Sequence, residues 1–202
     1  EQGGARIKIR LVKGANLAME KVEASMHDWA QAPYGTKAQV DANYKRMLHY
    51  GCMPENARYV QFGVASHNLF DLCYAMLLRE REGVKDYVEF EMLEGMANHQ
   101  ARVIRESADG LLLYAPVVLK EDFHSAIAYL VRRLDENTCE ENFLHDLFGM
   151  APGSRTWDIQ KRRFLKACQE KDSVKYGPNR TQNRATDPVL SLIHISEPTR
   201  QE

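Results

Sequence analysis

Segments with a period of two residues alternate along this chain with segments that have a helical period. Residues 6–12 place apolar side chains at Ile7, Ile9 and Leu11 with basic side chains between them, and this alternation predicts a β-strand. The predicted strands lie at residues 6–12, 59–65, 88–93 and 111–117. Because helical stretches separate them, the pattern favours an α/β fold of parallel β/α units whose polar strand ends meet at one face.

The helical stretches show apolar residues at spacings of three and four. The predicted apolar stripes are Met19, Val22, Met26 and Trp29; Val40, Tyr44, Met47 and Leu48; Leu69, Cys73, Met76 and Leu77; Val103 and Ile104; and Phe123, Ile127, Leu130, Val131 and Leu134. Asp122 precedes the last stripe and is its predicted N-cap. The pattern fits both a barrel and an open sheet, and no GxGxxG follows a strand to favour a dinucleotide-binding sheet.

Composition and charge exclude several classes of protein. Twenty-seven Lys and Arg residues against 28 Asp and Glu residues give a net charge of -1, which offers no bulk attraction for nucleic acid or an anionic membrane. The longest apolar run, residues 111–119, is far shorter than the ~20 residues that span a bilayer. The four cysteines form no CxxC and the seven histidines no HxxxH, so we expect reduced thiols, a cytoplasmic location and no metal site.

The predicted strand ends carry a set of cationic and hydrogen-bonding side chains. They are Arg10, Lys13, Ser66, His67, Asn68, Glu91, Glu94 and Tyr114, with Arg132 and Arg133 on the last predicted helix. Paired guanidinium groups bind a carboxylate or phosphate in a bidentate manner. Each residue alone is typical of an ordinary surface or core position, but together they predict a site for a small anion.

Six motifs extend this set along the chain. They are, in order, Arg10-Leu11-Val12-Lys13-Gly14-Ala15; Thr36-Lys37 with Asp41 and Tyr44; Ser66-His67-Asn68; Glu89-Phe90-Glu91-Met92-Leu93-Glu94-Gly95-Met96; Tyr114-Ala115-Pro116-Val117; and Tyr129-Leu130-Val131-Arg132-Arg133-Leu134. Residues 6–148, which contain them, resemble the later half of the proline dehydrogenase barrel in the form found in bifunctional proline utilisation proteins. The resemblance implies a partial (β/α) TIM-type barrel that binds FAD at the C-terminal ends of its strands.

The resemblance also implies a reaction and its partners. A hydride passes from the ring carbon next to the nitrogen of L-proline to the flavin, which gives pyrroline carboxylate, and a membrane quinone or another acceptor reoxidises the flavin. The intact protein is then expected to contact the inner membrane peripherally, and this segment is expected to have no nucleic-acid partner. The oligomeric state stays open.

The resemblance also implies which residues form the site. The implied cofactor contacts are Arg10, Val12, Gly14, Ala15, Thr36, Lys37, Ser66, His67, Asn68, Glu136 and Phe143. The implied substrate contacts are Leu93, Tyr114, Tyr129, Arg132 and Arg133, and the implied catalytic residues are Arg10, Tyr114, Arg132 and Arg133. Arg10 would stabilise the negative charge that flavin reduction develops, while the arginine pair would grip the proline carboxylate. Since neighbours on a helix point about 100° apart, we expect one arginine of the pair to serve mainly the carboxylate.

The sequence departs from the family pattern in three places. Asn16 and Leu17 replace aromatic residues of the family, which affects pocket shape and so substrate preference, and residues 118–121 lengthen the loop before the last predicted helix. The family's earlier strands, with a substrate-contacting lysine and an aspartate and a glutamine near the flavin, have no counterpart here. The chain has about four of the eight strands of a barrel, so we expect it to be inactive alone.

The predicted organisation has three parts. Residues 1–150 form the later half of the barrel, residues 151–189 form a basic helix and a polar linker, and residues 190–202 form a tail. Residues 176–184 resemble the connector into the aldehyde dehydrogenase domain of the fused enzymes, where NAD binds. The tail matches the translation of a transposase-type sequencing adapter, so we expect it to be non-native.

Two other functions stay open at this point. The first is a barrel enzyme without flavin that acts on a small carboxylate or phosphate. The second is a non-catalytic interaction or DNA-binding module built on the basic residues 154–184.

Overall fold

The structure, a computed structural model, describes residues 6–14, 17–147 and 149–181. Three predicted features lie outside the described residues: the cofactor contact at Ala15, the side chain of Glu136, and the tail at residues 190–202. Asn16 also lies outside them.

Four parallel strands form one sheet in the order in which they occur along the chain. They are β1 (Ile7–Leu11), β2 (Val60–Ala65), β3 (Val88–Leu93) and β4 (Leu112–Tyr114). A doubly wound sheet reverses its strand order at the point where ligands bind, whereas a barrel wall keeps sequential order. The observed order is that of a barrel wall, which confirms the predicted α/β fold and partial TIM-type barrel.

The fourth strand is shorter than the predicted residues 111–117. Only Leu112–Tyr114 pairs with β3, with Tyr114 opposite Leu93. Pro116 follows closely, and a proline has no backbone N–H with which to continue the ladder of hydrogen bonds. Strand β4 therefore ends at Tyr114, which lies opposite Leu93 at the end of β3.

The helices that join and follow the strands begin at capping side chains in several cases. They are α1 (Leu17–Met26), α2 (Lys37–Cys52), α3 (Pro54–Ala57), α4 (Leu69–Arg81), α5 (Asn98–Ser107), α6 (Phe123–Thr138), α7 (Phe143–Leu147) and α8 (Arg155–Glu170). The Thr36 hydroxyl accepts a hydrogen bond from the Gln39 backbone N–H, and the Gln39 side chain accepts one from the Thr36 N–H. Asn68 and Ser154 cap α4 and α8 in the same position.

The core lies between the sheet and the helices that follow its strands. Its largest fully buried apolar side chains are Tyr44, Leu48, Val64, Leu72, Val88, Phe90 and Met92. A Cβ atom at Gly51 would lie 2.5 Å from the Phe62 ring, so the missing side chain lets α2 approach β2 closely. Of the predicted α2 stripe, Tyr44 and Leu48 are buried as expected. Val40 is only partly buried and Met47 is 40% exposed, so the buried face is only partly the predicted one.

The buried face of α4 differs from the predicted stripe. We expected Leu69, Cys73, Met76 and Leu77 to face the core, and Leu69 and Met76 do pack against it while partly buried. The fully buried apolar residues are instead Leu72, Ala75 and Leu78, and the Leu77 side chain is 71% exposed. The true face also contains two charged residues, Asp71 and Arg79, so hydrophobicity alone did not reveal it. Arg79 donates hydrogen bonds to the backbone carbonyls of Val88 and Ala108, which satisfies part of its buried guanidinium.

The apolar stripes of α1 and α6 are exposed, although both helices are present as predicted. The exposed stripe residues are Met19, Val22 and Met26 on α1, and Phe123, Ile127, Leu130, Val131 and Leu134 on α6. An amphipathic pattern shows which face favours burial but not which surface will cover it. Asp122 lies in a short 3-10 turn over Lys120–Asp122 that leads directly into α6, and Trp29 lies beyond the end of α1.

Helix α8 packs against α2 and α4, within the segment predicted to be a basic helix and linker. The Phe70 ring on α4 lies 4.8 Å from the Trp157 ring and 5.7 Å from the Phe164 ring, measured between centroids. The Tyr74 and Phe164 rings meet edge to face at 5.5 Å. The domain boundaries at residues 150 and 189 stay predictions, but α8 itself is joined to the barrel helices by an aromatic cluster.

Among the residues that the structure describes, no helix combines the length and the apolar character needed to cross a bilayer.

Candidate functional site

A concave pocket of about 320 Å³ opens at the C-terminal ends of the strands. Twelve of the predicted site residues line it: Arg10, Val12, Gly14, Lys37, Ser66, His67, Asn68, Leu93, Tyr114, Tyr129, Arg133 and Phe143. They come from all four strand ends and from α2, α6 and α7. The fold thus brings together residues that are up to 133 positions apart in the sequence, from Arg10 to Phe143.

Among the predicted site residues whose side chains the structure describes, two lie outside the pocket lining. Thr36 caps α2, which begins at Lys37, so its described role is to start the helix rather than to line the pocket. Arg132 is half-buried on α6 but does not line the pocket, whereas Arg133 does. Adjacent helical residues point about 100° apart, and this rotation separates the two guanidinium groups. Whether either group binds a ligand stays a prediction.

The pocket also contains residues that were not among the predicted contacts. They are Lys13, Ala65, Met96, Asn137, Asn142 and Leu144. Lys13 was part of the cationic strand-end set, and Ala65 and Met96 adjoin motifs that supplied other contacts. Asn137 and Asn142 lie around the end of α6, after the last strand, where no β/α pattern marks them.

Lysines and aspartates form a continuous ion-pair network beneath one side of the pocket. The Lys13 ammonium lies 2.6 Å from Oδ1 of Asp41 and 2.6 Å from Oδ2 of Asp71. Asp41 also pairs with Lys37 at 2.6 Å, and Asp71 pairs with the buried Lys45. The network fixes the two lysines that line the pocket.

Burial and charge act against each other in this network. Burial disfavours the charged form of Lys13, but Asp71 and Asp41 outweigh it and raise the pKa of that ammonium above its usual value. Burial together with the charge of Lys13 lowers the pKa of Lys37, despite the opposing effect of Asp41. Burial alone would raise the pKa values of the Asp41 and Asp71 carboxyls. The neighbouring lysines outweigh burial and hold both pKa values below their ordinary range.

Arg10 and Tyr114 face each other across the sheet. The guanidinium carbon of Arg10 lies 4.5 Å from the centroid of the Tyr114 ring, a cation–π geometry, and the Nε atom of Arg10 pairs with the buried carboxylate of Glu91. Burial, and then the neighbouring Tyr129, raise the pKa of the Tyr114 hydroxyl, partly opposed by Arg10 and Arg133. Tyr114 therefore enters the pocket as a neutral phenol.

One ring nitrogen of His67 contacts the backbone of Leu93. Its Nε2 atom lies 3.2 Å from the Leu93 backbone N–H, which can only donate, and 3.5 Å from the Leu93 carbonyl. Burial lowers the pKa of His67, so the neutral ring dominates near neutral pH.

Two helices begin at the rim of the pocket. The N-terminus of α2 is at Lys37, and that of α4 follows Asn68. Free N–H groups and the helix dipole make such ends favourable for anions, and Lys13 and Lys37 add cationic charge there. The arrangement can bind a phosphate group on one side and a carboxylate near Arg133 on the other. Within the described ranges, no cluster of three or more His, Cys, Asp or Glu side chains could hold a metal ion.

The fold and the pocket define part of a parallel β/α barrel with a pocket at its C-terminal strand ends that is lined by several cationic side chains. Residues 1–146 match the sequence profile of the family described as Proline dehydrogenase, so the chain belongs to the proline dehydrogenase family. This confirms the resemblance on which the predicted contacts depend.

Characterised relatives have the same domain within much longer chains. The bifunctional protein PutA of Klebsiella aerogenes is 34% identical over 147 residues, which cover 69% of this chain and 11% of that protein. PutA of Rhizobium meliloti is 32% identical over 148 residues, 71% of this chain and 12% of that protein. The chain therefore spans about a ninth of the length of these relatives.

Two solved structures of proline utilization A are also similar to this chain in fold and sequence. Proline Utilization A from Corynebacterium freiburgense superposes with a TM-score of 0.73 and 43% identity, over 89% of this chain and 17% of that one. Proline utilization A from Bdellovibrio bacteriovorus, inactivated by N-propargylglycine, gives a TM-score of 0.69 and 31% identity over 90% of this chain and 18% of that one.

Proposed function

We propose that this chain forms the cofactor-facing and substrate-facing half of an FAD-dependent proline dehydrogenase that oxidises L-proline to pyrroline carboxylate. The observation that carries the proposal is the convergence of twelve predicted site residues on one pocket at the C-terminal strand ends. Membership of the proline dehydrogenase family supports the same reaction.

The chemistry of the pocket lining fits FAD. Cations and two helix N-termini suit the diphosphate, while Val12, Leu93 and Phe143 offer apolar surface to a flat ring. Lys13 and Lys37 would hold the phosphates, and the His67 ring, held against the Leu93 backbone, would contact the cofactor beside them. When bound, the flavin accepts the hydride that leaves proline.

The remaining pocket groups suit a small zwitterion. Arg133 supplies a cation for the proline carboxylate, and its guanidinium carbon lies 5.1 Å from the centroid of the Tyr129 ring, which limits its motion. Tyr114 and Leu93 provide the wall against which the proline ring would rest. A fixed cation at one end and an apolar wall elsewhere orient the substrate before reaction.

The location and the electron acceptor form part of the same proposal. We infer that the enzyme works in the cytoplasm and passes electrons to a quinone at the inner membrane surface. The quinone and the membrane surface would be partners of the longer protein rather than of this chain alone. If an aldehyde dehydrogenase domain is fused to it, NAD would bind in that domain.

The experiment uses the protein encoded by the full-length reading frame that contains this chain. We expect a yellow protein with bound FAD that loses its flavin absorbance on anaerobic addition of L-proline. Pyrrolidine, which lacks the carboxylate, is the matched control and should reduce the flavin far more slowly. A protein that neither contains nor takes up FAD would refute the proposal. Equal rates of flavin reduction by pyrrolidine and by proline would refute the assignment of a carboxylate site.

A further inference from the structure

Glu91 is a fully buried carboxylate that receives two cations from a strand that is not its neighbour. Its side chain lies on β3 and is 0% exposed. Arg10 and Lys8 both lie on β1, and Lys8 Nζ is 2.8 Å from Oε1 of Glu91 while Arg10 Nε contacts Oε2. Strand β2 lies between them in the sheet, so both cations reach across an entire strand.

Gly63 on β2 provides the space for this crossing. Gly63 pairs with Arg10 on one side and with Glu89 on the other. A Cβ atom at this position would lie 2.3 Å from Oε1 and 3.0 Å from Cδ of Glu91, and 3.4 Å from the Lys8 Cε atom. Any side chain there would displace the Glu91 carboxylate from its present position.

The carboxylate and the Tyr114 ring hold the Arg10 guanidinium from two sides. Glu91 binds the Nε edge, and the aromatic face of Tyr114 lies 4.5 Å from the guanidinium carbon. An arginine held only by an aromatic face could rotate about its long side chain, whereas the ion pair at Nε gives the guanidinium a second, charged partner that opposes this rotation. The guanidinium is therefore preorganised at the pocket before any ligand binds.

We propose that Glu91 is the positioning residue for Arg10 and that Gly63 is the gap in the sheet that makes this contact possible. The proposal rests on the proposed function in one respect: it takes Arg10 to stabilise the negative charge that develops on the flavin during reduction. Glu91 does not line the pocket, so it acts through Arg10 rather than on a ligand. Removing its charge should free Arg10 without altering the surface that a substrate meets.

The first test needs neither cofactor nor activity. In the 202-residue chain, the Arg10 Nε–H should give a resolved, slowly exchanging proton signal in ¹H–¹⁵N spectra, assigned by its loss in Arg10→Lys. Glu91→Gln should bring that signal to fast exchange, while Glu91→Asp should retain part of the protection. Glu89→Gln is the matched control because Glu89 lies on the same strand and pairs with Lys8 but not with Arg10. Equal protection in Glu91→Gln and Glu89→Gln would overturn the proposal.

The second test uses the full-length protein with FAD bound. Glu91→Gln should lower the rate constant of flavin reduction by about tenfold or more at saturating proline, with little change in KM. The same substitution in an Arg10→Met background should have no further effect, since Glu91 acts through Arg10. Additive effects of the two substitutions would refute the coupling. If the parent protein fails to oxidise proline, the proton-exchange test still decides the positioning claim separately.

The gap itself is tested by Gly63→Ala, with Gly177→Ala as the control because no atom lies within 4 Å of a Cβ atom there. Gly63→Ala should remove the protected Arg10 signal as Glu91→Gln does, and Gly177→Ala should leave it intact. Retention of the signal in a folded Gly63→Ala variant would show that the gap is not required. Thermal melts of each variant separate a positioning effect from loss of the fold. If Gly63→Ala does not fold, Glu91→Asp is the variant that shows whether a displaced carboxylate weakens the protection of the Arg10 signal.

Discussion

The Lys13 ammonium nitrogen lies 2.6 Å from Oδ2 of Asp71, and the other oxygen of that carboxylate binds the buried Lys45. Asp71 itself is 0% exposed. The Lys45 nitrogen in turn lies 4.9 Å from the centroid of the Phe164 ring on α8. One buried carboxylate therefore joins a lysine of the pocket to a helix packed on the outside of the barrel.

Asp71→Asn should destabilise the protein strongly. The substitution removes the buried carboxylate that Lys13 and Lys45 share, so both ammonium groups lose a charged partner. Breaking a buried ion pair costs about 3–5 kcal/mol in free energy of unfolding, measured from urea denaturation. Asp109→Asn is the control, since Asp109 pairs with Lys85 at the exposed surface and its loss should not move the urea midpoint measurably. Similar midpoints for the two variants would contradict a structural role for the network.

The same network predicts how stability depends on acid. The lysines hold the pKa values of Asp41 and Asp71 below their ordinary value in the folded protein, so these carboxylates add stability above about pH 4. As the pH falls below that value the unfolded chain takes up protons first, and the contribution is lost progressively. Urea midpoints measured from pH 7 down to about pH 3 should show a steep fall at the acid end. Asp71→Asn should make that fall shallower, and an unchanged slope would show that the network does not cause it.

Helix α8 should contribute to the stability of the barrel helices through its aromatic side chains. Phe164→Ala removes a half-buried ring that contacts Phe70 and Tyr74, and should cost about 2 kcal/mol, at the lower end for large core truncations because the ring is not fully enclosed. Leu165→Ala is the matched control, because that neighbour is 46% exposed. Calorimetric melts of both variants check the difference, and equal losses would indicate that the aromatic cluster carries no special weight.

Much of the fold could be predicted because strand periodicity is local. The alternation in β1 and the apolar runs of β2 and β3 mark their strands, and parallel β/α units place the ends of those strands at one face, where the pocket lies. The buried face of α4 could not be predicted, because Asp71 and Arg79 face the core only by virtue of partners elsewhere in the chain.

The details of the pocket depend on geometry that no local pattern contains. Helix geometry predicts that Arg132 and Arg133 point apart, but which of the two faces the pocket depends on how α6 is packed. The contact between Arg10 on β1 and Glu91 on β3 reaches past β2, so predicting it requires the sheet order and register. Asn137 and Asn142 enter the pocket from beyond the last strand, where the β/α rule makes no prediction.

The two adjacent arginines of α6 should differ in their effect on substrate affinity. Arg133 lines the pocket and rests against the Tyr129 ring, whereas Arg132 lies outside the pocket lining. Arg133→Met should raise the KM for proline by about 10- to 100-fold, because a charge-assisted hydrogen bond contributes about 1.5–3 kcal/mol to binding. Arg132→Met, the matched control on the same helix, should change KM much less.

Steady-state kinetics of the full-length protein with an artificial electron acceptor would measure both variants. Inhibition by a small carboxylate without a ring amine separates the carboxylate site from the rest of the pocket, and its inhibition constant should rise in parallel with the KM of Arg133→Met. Arg133→Lys should recover only part of the affinity, since an ammonium group cannot reproduce the two parallel hydrogen bonds of a guanidinium. If Arg132→Met raised KM as much as Arg133→Met, the two residues would share the carboxylate, and position in the pocket lining would not identify the residue that binds it.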